Sequence, residues 1–304
     1  MRPLLVALMV LCVVVPAATA APRSLFQDDQ LLLHSGDGAR EQALDELAAL
    51  GVDGIRVLVH WGHLAPANRS ARRPAGLVAS DARSYDLSAL DALYEGARRR
   101  GMHLLMTPTG PGPRWARFDA AEFGRFVVAL GRHYPEQRHW AVWNEPNNAR
   151  WLRPQYVRGR PAAPDRYRRL VRAAVDGLRV TGHRGDEILI GETAPIGRMD
   201  GRAATDPMMP GPFLRALLCA RCGTLGATGL SHHAYTRGGS RSPRYPAIEG
   251  ELSVAALGEL VRLARGLPVH LTEGGWQTSP PDVLFGVPPH LQAQHLNELE
   301  WIVR

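Results

Sequence analysis

The strongest constraint on the fold is a regular alternation of amphipathic helical segments with short runs of β-forming residues. Six such runs begin near residues 55, 102, 140, 188, 230 and 269. A strand and its return helix need roughly 30 or more residues, so each interval between these runs has room for one such unit. The alternation therefore predicts a single α/β domain with a parallel sheet.

Hydrophobic spacing, capping residues and turn glycines set the predicted element boundaries. The predicted strands are 55–60, 102–107, 139–143, 188–190, 230–233 and 269–272, and the stretch 24–33 is expected to supply an earlier one. The predicted helices are 39–50, 87–100, 120–133, 165–180, 213–218, 254–264 and 290–304. Gly51 and Gly101 directly follow the first two helices, as is common where a helix ends in left-handed backbone.

A closed barrel is favoured over an open doubly wound sheet because nucleotide-binding motifs are missing. The sequence has neither Gly-x-Gly-x-x-Gly after its first strand nor a phosphate-binding P-loop. The strand–helix units therefore predict a (β/α)8 TIM barrel. Seven strands can be placed, so either the first strand is misassigned or the eighth is missing from this chain. We favour the explanation that strand eight is missing from this chain.

Two glutamates directly follow apolar runs, at the ends of the predicted fourth and seventh strands. In a β/α barrel the ends of the strands form the mouth in which active sites lie. A single glutamate at a strand end is often only the first solvated side chain. Glu145 and Glu273 together, however, can face each other across the mouth, and glycosidic bond cleavage requires a pair of carboxyl groups. Arg56 would favour ionisation of whichever carboxyl group it approaches.

The backbone around Glu145 is expected to be irregular. Pro146 has no N–H and cannot continue a central strand. Strict alternation would point Asn144 and Glu145 to opposite faces of the sheet. A departure from regular strand geometry would let both side chains reach the mouth.

These motifs resemble those of the retaining glycoside hydrolases of clan A, notably families 5 and 39. The resemblance covers roughly residues 30 to 300 and lies in Asn-Glu-Pro on strand four, His-x-Tyr on strand six and Glu-Gly on strand seven. Members of the clan carry their two glutamates on strands four and seven, which agrees with the numbering above. That agreement favours a missing eighth strand, from which the family usually supplies an aromatic residue to the sugar site.

The resemblance implies a role for each matching residue. It implies that Glu145 is the acid/base and Glu273 the nucleophile of a double-displacement reaction. Asn144 would hold the sugar 2-hydroxyl, and Arg56 would lie beneath the nucleophile. His233 and Tyr235 would support the sugar and the nucleophile. The implied substrate is a poly- or oligosaccharide, and no cofactor or metal is expected.

Four tryptophans follow predicted strands on the mouth side and are predicted to contact the sugar. They are Trp61, Trp115, Trp151 and Trp276. Indole faces stack on the apolar faces of sugar rings, although one or two of the four are expected to pack loops against helices instead. Trp140 and Trp143 lie within strand four and are predicted to belong to the core.

Two other function classes remain open from the residues alone. A carbohydrate-binding or surface-interaction protein on a barrel scaffold would use the same aromatic loops without turnover. A metal-dependent hydrolase would gather the histidines of the mouth, at positions His60, His63, His232 and His233. Glu192, at the end of strand five, fits either substrate binding or a solvated strand end.

The amino terminus predicts export. Residues 1–20 carry Arg2, a short apolar run and a small-residue site, in the order of a secretory signal peptide, with an uncleaved anchor as the alternative. The domain is expected to occupy 21–304. Cys219 and Cys222 are three apart in the exported part, which permits a small structural disulfide.

The positive charge of the chain does not by itself indicate a nucleic-acid partner. The net charge is +7, and all 36 basic residues are arginine. These arginines are spread over helix faces, and no RNA- or DNA-binding motif accompanies them. We therefore expect a carbohydrate substrate, no nucleic acid and no membrane insertion after signal cleavage.

Overall fold

The computed structural model describes residues 23–304 as a parallel β/α barrel of seven strands. The barrel strands are β1 Leu25–Phe26, β2 Gly54–His60, β3 His103–Thr109, β4 His139–Ala141, β5 Glu187–Thr193, β6 Gly229–His233 and β7 Val269–Glu273. The helices are α1 Asp37–Ala49, α2 Ser88–Arg99, α3 Ala120–His133, α4 Ala163–Val180, α5 Pro210–Leu217, α6 Leu257–Leu263 and α7 Pro289–Val303. The predicted signal segment lies outside the described residues.

The seven strands pair in chain order, each parallel to the next. Within residues 23–304, β1 and β7 are the two edges of the sheet and do not pair with each other. A cavity of about 1250 Å³ opens between them, and Leu296 and Leu299 of α7 line its outer side. The arrangement is a nearly closed barrel, consistent with the predicted fold and with a missing eighth strand.

The helices form where the sequence places apolar residues on one face. In α4, Tyr167, Leu170, Val171 and Leu178 are buried at helical spacing, while Val180 at the end is exposed. Helix α3 is capped by Asp119, whose side chain accepts a hydrogen bond from the Glu122 N–H. The two helices approach so closely at Gly124 that a Cβ added there would lie 3.1 Å from Ala173.

The stretch 24–33 supplies the first strand, as predicted, but the strand occupies only a short part of it. Only Leu25 and Phe26 pair with β2, and Gln30–His34 forms a π-helical turn. The Leu31 N–H bonds to the Asp28 side chain and so starts that turn. Leu32 is buried, so the apolar run serves packing rather than pairing.

A disulfide and a small hairpin lie outside the barrel sheet. Cys219 and Cys222 form a disulfide just after α5, with Cα atoms 5.0 Å apart. A small antiparallel hairpin, Tyr156–Val157 with Arg160–Pro161, lies in the loop between β4 and α4. Among residues 23–304, no helix combines the length and apolar character needed to cross a membrane.

Candidate active site

Charged side chains from five strands meet at the carboxyl ends of the barrel strands. They are Arg56 from β2, Glu145 after β4, Glu192 from β5, His233 at the end of β6 and Glu273 at the end of β7. Parallel strands bring these ends to one face of the barrel. Chain positions up to 217 apart are thereby in hydrogen-bond contact.

The backbone after β4 is irregular, as expected from the sequence. Regular pairing ends at Ala141, and Trp143 and Glu145 have positive φ angles of 71° and 40°. The Glu145 N–H donates to the Glu192 carbonyl at 2.8 Å, so the chain stays attached to β5 across the distortion. Asn144 and Glu145 consequently both direct polar atoms into the mouth.

The two glutamates singled out from the sequence face each other. One oxygen of Glu145, one oxygen of Glu273 and one ring nitrogen of His233 all lie within 4.8 Å of one another. The side chains of Glu145 and Glu273 remain 19% and 17% exposed, so the pair is open to a ligand from the mouth. The other members of the cluster, Arg56, Glu192 and His233, have fully buried side chains.

Arg56 holds the base of the cluster together. Its Nη1 donates to Glu273 Oε1 at 2.5 Å and also to the side chain of Gln27. Its Nη2 donates to Asn144 Oδ1 at 3.0 Å and forms a short ion pair with Glu192. Burial would lower the pKa of Arg56, but the two carboxylates outweigh it and raise that pKa. Arg56 is therefore a fixed positive charge beneath the pair.

The imidazole of His233 lies between three carboxyl groups. Its Nδ1 is 3.4 Å from Glu145 Oε1 and 3.4 Å from Glu273 Oε2, and its Nε2 is 3.3 Å from Glu192 Oε2. Burial would lower the pKa of His233, but these negative charges raise it to about 9. The imidazole is therefore positively charged at neutral pH.

The positive charge of His233 lowers the pKa of two carboxyl groups of the cluster, those of Glu145 and Glu192. Burial raises the pKa of Glu145, but hydrogen bonds and charge from His233, with help from Asn148 and Trp151, bring it below its ordinary value. Burial likewise disfavours the charged form of Glu192, yet Arg56 and His233 place its pKa far below the ordinary range. In the unliganded protein both carboxyl groups are ionised at neutral pH.

Further polar contacts orient the two mouth-facing glutamates. Tyr235 donates its hydroxyl to Glu273 Oε2 at 3.1 Å. Asn148 and the Trp151 indole N–H both donate to Glu145 Oε2, at 3.1 and 3.2 Å. Trp151 also stacks on His60, with ring centroids 5.7 Å apart, so it forms a flat wall next to Glu145.

The predicted sugar contacts of two tryptophans are wrong. Trp61 is fully buried and stacks on Phe126, because the chain turns into a helical turn at that residue and carries the indole into the core. Trp276 is 5% exposed, donates to the Arg241 carbonyl and packs on His295.

The other tryptophans lie as follows. Trp115 is half-buried, packs edge-on against Trp61 and donates to the Pro66 carbonyl, so its contacts are with a loop. Trp140 and Trp143 are both fully buried, as the sequence predicts for core residues. Trp151 is thus the one predicted sugar-contact tryptophan in direct contact with the glutamate pair.

The histidines of the mouth do not assemble into the metal site considered from the sequence. His232 is bonded through one nitrogen to Thr193 and through the other to the Leu252 carbonyl, and burial lowers its pKa to about 3. His60 and His63 stack on each other to one side. Within residues 23–304 the one convergent set of ligand-type atoms is that of Glu145, His233 and Glu273, where Arg56 already supplies a positive charge.

Glu192 is the site residue whose place the sequence left ambiguous. Its side chain is fully buried, and its second oxygen accepts a 2.7 Å hydrogen bond from Thr272. Its position at the end of β5 was the available signal, but that position does not distinguish a solvated carboxylate from one enclosed by Arg56 and His233. Glu192 also has a positive φ of 45°, which accompanies a register shift between β5 and β6.

Comparison with known proteins finds similarity in structure but not in sequence. No protein-family model matches the chain, and no curated protein matches it. A family 39 glycoside hydrolase from Bacteroides cellulosilyticus superposes with a TM-score of 0.55 at 14% identity, over 92% of this chain and 52% of that one. This chain thus spans about half the length of that protein.

Two further solved structures extend the comparison. A family 1 β-glucosidase from Thermotoga maritima gives a TM-score of 0.54 at 13% identity, covering 88% of this chain and 74% of that one. An endo-β-1,4-glucanase from Xanthomonas axonopodis gives 0.53 at 15% identity, covering 86% and 76%. At these identities the likeness establishes the fold alone, which is a β/α (TIM) barrel.

Proposed function

We propose that the protein is a retaining O-glycosyl hydrolase in which Glu273 is the nucleophile and Glu145 the acid/base. The observation that carries this proposal is the approach of the two carboxyl groups, with one oxygen of each within 4.8 Å. Retaining enzymes hold their carboxyl groups about 5–5.5 Å apart, whereas inverting enzymes leave about 6.5–9.5 Å for a water molecule.

The two glutamates would act in two displacements. In the first, Glu273 attacks the anomeric carbon while the bond to the leaving oxygen breaks and that oxygen takes a proton from Glu145. In the second, Glu145 accepts a proton from water, which attacks the same carbon and releases Glu273. The sugar leaves with its original anomeric configuration.

The contacts of Glu273 suit the role of nucleophile. Arg56 and Tyr235 donate to its two oxygens, at 2.5 and 3.1 Å, and so fix its orientation. Asn144, held by Arg56, is placed to bind a sugar hydroxyl next to the attacked carbon. The indole face of Trp151 beside Glu145 offers a stacking surface for the sugar or for the leaving group.

The substrate class we propose is a poly- or oligosaccharide. The similar structures include a β-glucosidase and an endo-β-1,4-glucanase, and a carboxylate pair beside a half-buried indole suits substrates of that kind. A panel of aryl glycosides and polysaccharides tests the proposal, with NMR used to read the anomer released first. Retention of configuration supports the mechanism, and release of the opposite anomer contradicts it.

A non-catalytic carbohydrate-binding protein is the competing proposal from the sequence. The two are separated by comparing wild type with Glu273→Ala on the best substrate of the panel. An enzyme loses its turnover in this variant, whereas a binding protein shows saccharide binding by calorimetry and no turnover in either form.

We also propose that the protein is exported as a single barrel domain beginning near Ala21. The support is the signal-like order of residues 1–20 and the paired Cys219 and Cys222, since disulfides persist in oxidising compartments. Amino-terminal sequencing of protein recovered from the culture medium tests this. A chain that stays inside the cell with residue 1 intact contradicts it.

A further inference from the structure

His233 faces charged groups from three other strands, β2, β5 and β7, and from the segment that follows β4. Glu145 and Glu273 face its Nδ1, at 3.4 Å each, while Glu192 faces its Nε2 at 3.3 Å. The Nη2 atom of Arg56 lies 3.4 Å from the same Nε2. The preceding residue, His232, is neutral and points to Thr193 and Leu252.

This geometry favours the imidazolium form of His233. A neutral imidazole carries a proton on only one ring nitrogen. Since both ring nitrogens of His233 face carboxylate oxygens, the neutral form leaves one of these nitrogens without an N–H to donate to its carboxylate neighbour. With both nitrogens protonated, Nε2–H can donate to Glu192 and Nδ1–H to either mouth-facing glutamate.

The proton needed by the proposed reaction is already present in the cluster, but on the wrong residue. The general acid must be protonated before it can act, yet Glu145 is ionised in the unliganded protein. The pair His233 imidazolium with Glu145 carboxylate has the same charge and the same number of protons as neutral His233 with protonated Glu145. The two states differ only by one proton moved along the contact between Nδ1 and Oε1.

We propose that Glu192 is a positioning residue that keeps this shared proton on His233 until substrate displaces it to Glu145. The inference rests on the proposed function, since it explains how the acid/base glutamate of that reaction is charged and discharged. Glu192 acts through His233, because its own side chain is fully buried and so out of reach of a substrate.

The proton step balances without any further reactant. The N–H bond at Nδ1 of His233 breaks and an O–H bond forms at Oε1 of Glu145, so the imidazole becomes neutral and the carboxylate becomes a neutral acid. Glu145 then gives the proton to the leaving oxygen. The negative charges of Glu192 and Glu273 and the positive charge of Arg56 are the same before and after the transfer.

The direct test is an NMR titration of His233 in the full, unliganded chain labelled with ¹⁵N-histidine. The His233 signal is assigned by its loss in a His233→Gln variant. In wild type we expect the imidazole to stay charged through neutral pH, with a midpoint near 9. In Glu192→Gln, which preserves the shape of the side chain and removes its charge, we expect the midpoint to fall by at least about one pH unit. This is a tenfold change in the acid dissociation constant of the His233 imidazolium.

Glu187→Gln is the matched control. Glu187 begins the same strand as Glu192 but lies at the opposite end of the barrel, where it pairs with His139 at 3.0 Å. This variant should leave the His233 midpoint unchanged. A neutral His233 at pH 7 in wild type, or equal midpoints in wild type and Glu192→Gln, overturns the proposal.

A second variant of Glu192 and a kinetic measurement complete the test. If Glu192→Gln does not fold, Glu192→Asp replaces it, because the shorter side chain keeps the charge but moves it away from Nε2 of His233. A smaller fall of the His233 midpoint is then expected. An unchanged midpoint in Glu192→Asp overturns the proposal. The titration needs no turnover, so it stands even if hydrolysis fails. Where hydrolysis is measured, the basic limb of kcat/KM should move to lower pH in Glu192→Gln together with the His233 midpoint, because that limb reports loss of the shared proton.

Discussion

Arg56 Nη1 lies 2.5 Å from Glu273 Oε1, and this ion pair joins strands β2 and β7 across 217 positions of the chain. Because the same guanidinium also binds Glu192, one buried positive charge fixes two carboxylates at the barrel mouth. The geometry of the whole cluster depends on this residue.

Replacement of Glu273 by Ala tests the nucleophile. We expect kcat/KM for an aryl glycoside to fall by at least about 10³-fold, since residues of a catalytic unit cost this much or more when removed. The measurement is initial-rate kinetics, and added azide should restore turnover with the opposite anomer as product. Glu187→Ala, at the other end of the barrel, is the control. A Glu273→Ala variant with near wild-type rates rules out the nucleophile assignment.

Replacement of Glu145 by Gln tests the acid/base. We expect a loss of about 10²–10⁴-fold in kcat/KM for substrates with poor leaving groups, which need a proton most. Aryl glycosides with acidic phenols should lose less in the first step. A series of phenols of graded acidity provides the measurement, and a loss independent of the leaving group argues against proton donation by Glu145.

The raised pKa of His233 predicts a pH-dependent stability. The pKa is about 9 in the folded protein and near 6.5 when the side chain is free, so the folded state binds the extra proton between these values. The stabilisation is complete below about pH 6.5 and is lost as the pH rises through 9. We therefore expect the Tm difference between wild type and His233→Gln to shrink by several degrees across this window in calorimetry. A constant difference would show that the charge of His233 does not contribute.

Replacing Trp61 should affect mainly stability, whereas replacing Trp151 should affect mainly activity. Trp61→Ala empties a fully buried aromatic cluster and should destabilise the protein by about 3–5 kcal/mol. Trp151→Phe removes the hydrogen bond to Glu145 and should lower kcat/KM with little change in Tm. Urea unfolding and kinetics on both variants make the comparison. A large stability loss in Trp151→Phe would place this indole in the core instead.

Arg56→Met predicts strong destabilisation through a buried carboxylate that loses its guanidinium partner. Fully buried Glu192 would keep only His233 and Thr272 as partners, and breaking a buried ion pair of this kind costs up to about 3–5 kcal/mol. The double variant Arg56→Met with Glu192→Leu removes both charges and should be less destabilised than the sum of the two single variants. A double-mutant cycle by urea unfolding measures this coupling, and additive losses would contradict it.

The sequence predicted the barrel and the two glutamates because the signals for both are local. Helical spacing, turn glycines and apolar runs determine where each strand begins, and the strand order follows from short parallel connections. Glu145 and Glu273 stand directly after such runs, and Pro146 marks the end of regular pairing. The first strand occupies only the beginning of 24–33, and the three-leucine run that follows forms a helical turn because such a run fits a turn as well as a strand.

Only the tertiary structure decided which other side chains meet the pair. Whether Glu192 is solvated or enclosed depends on the approach of Arg56 and His233, which are 136 and 41 positions away in the chain, and no local pattern encodes that approach. Trp61 and Trp151 both follow strands, yet one enters the core and the other reaches Glu145, because the backbone turns differently after each strand. Strand identity is a short-range property of the chain, whereas the protonation of His233 and the environment of each carboxylate arise from the long-range closure of the sheet.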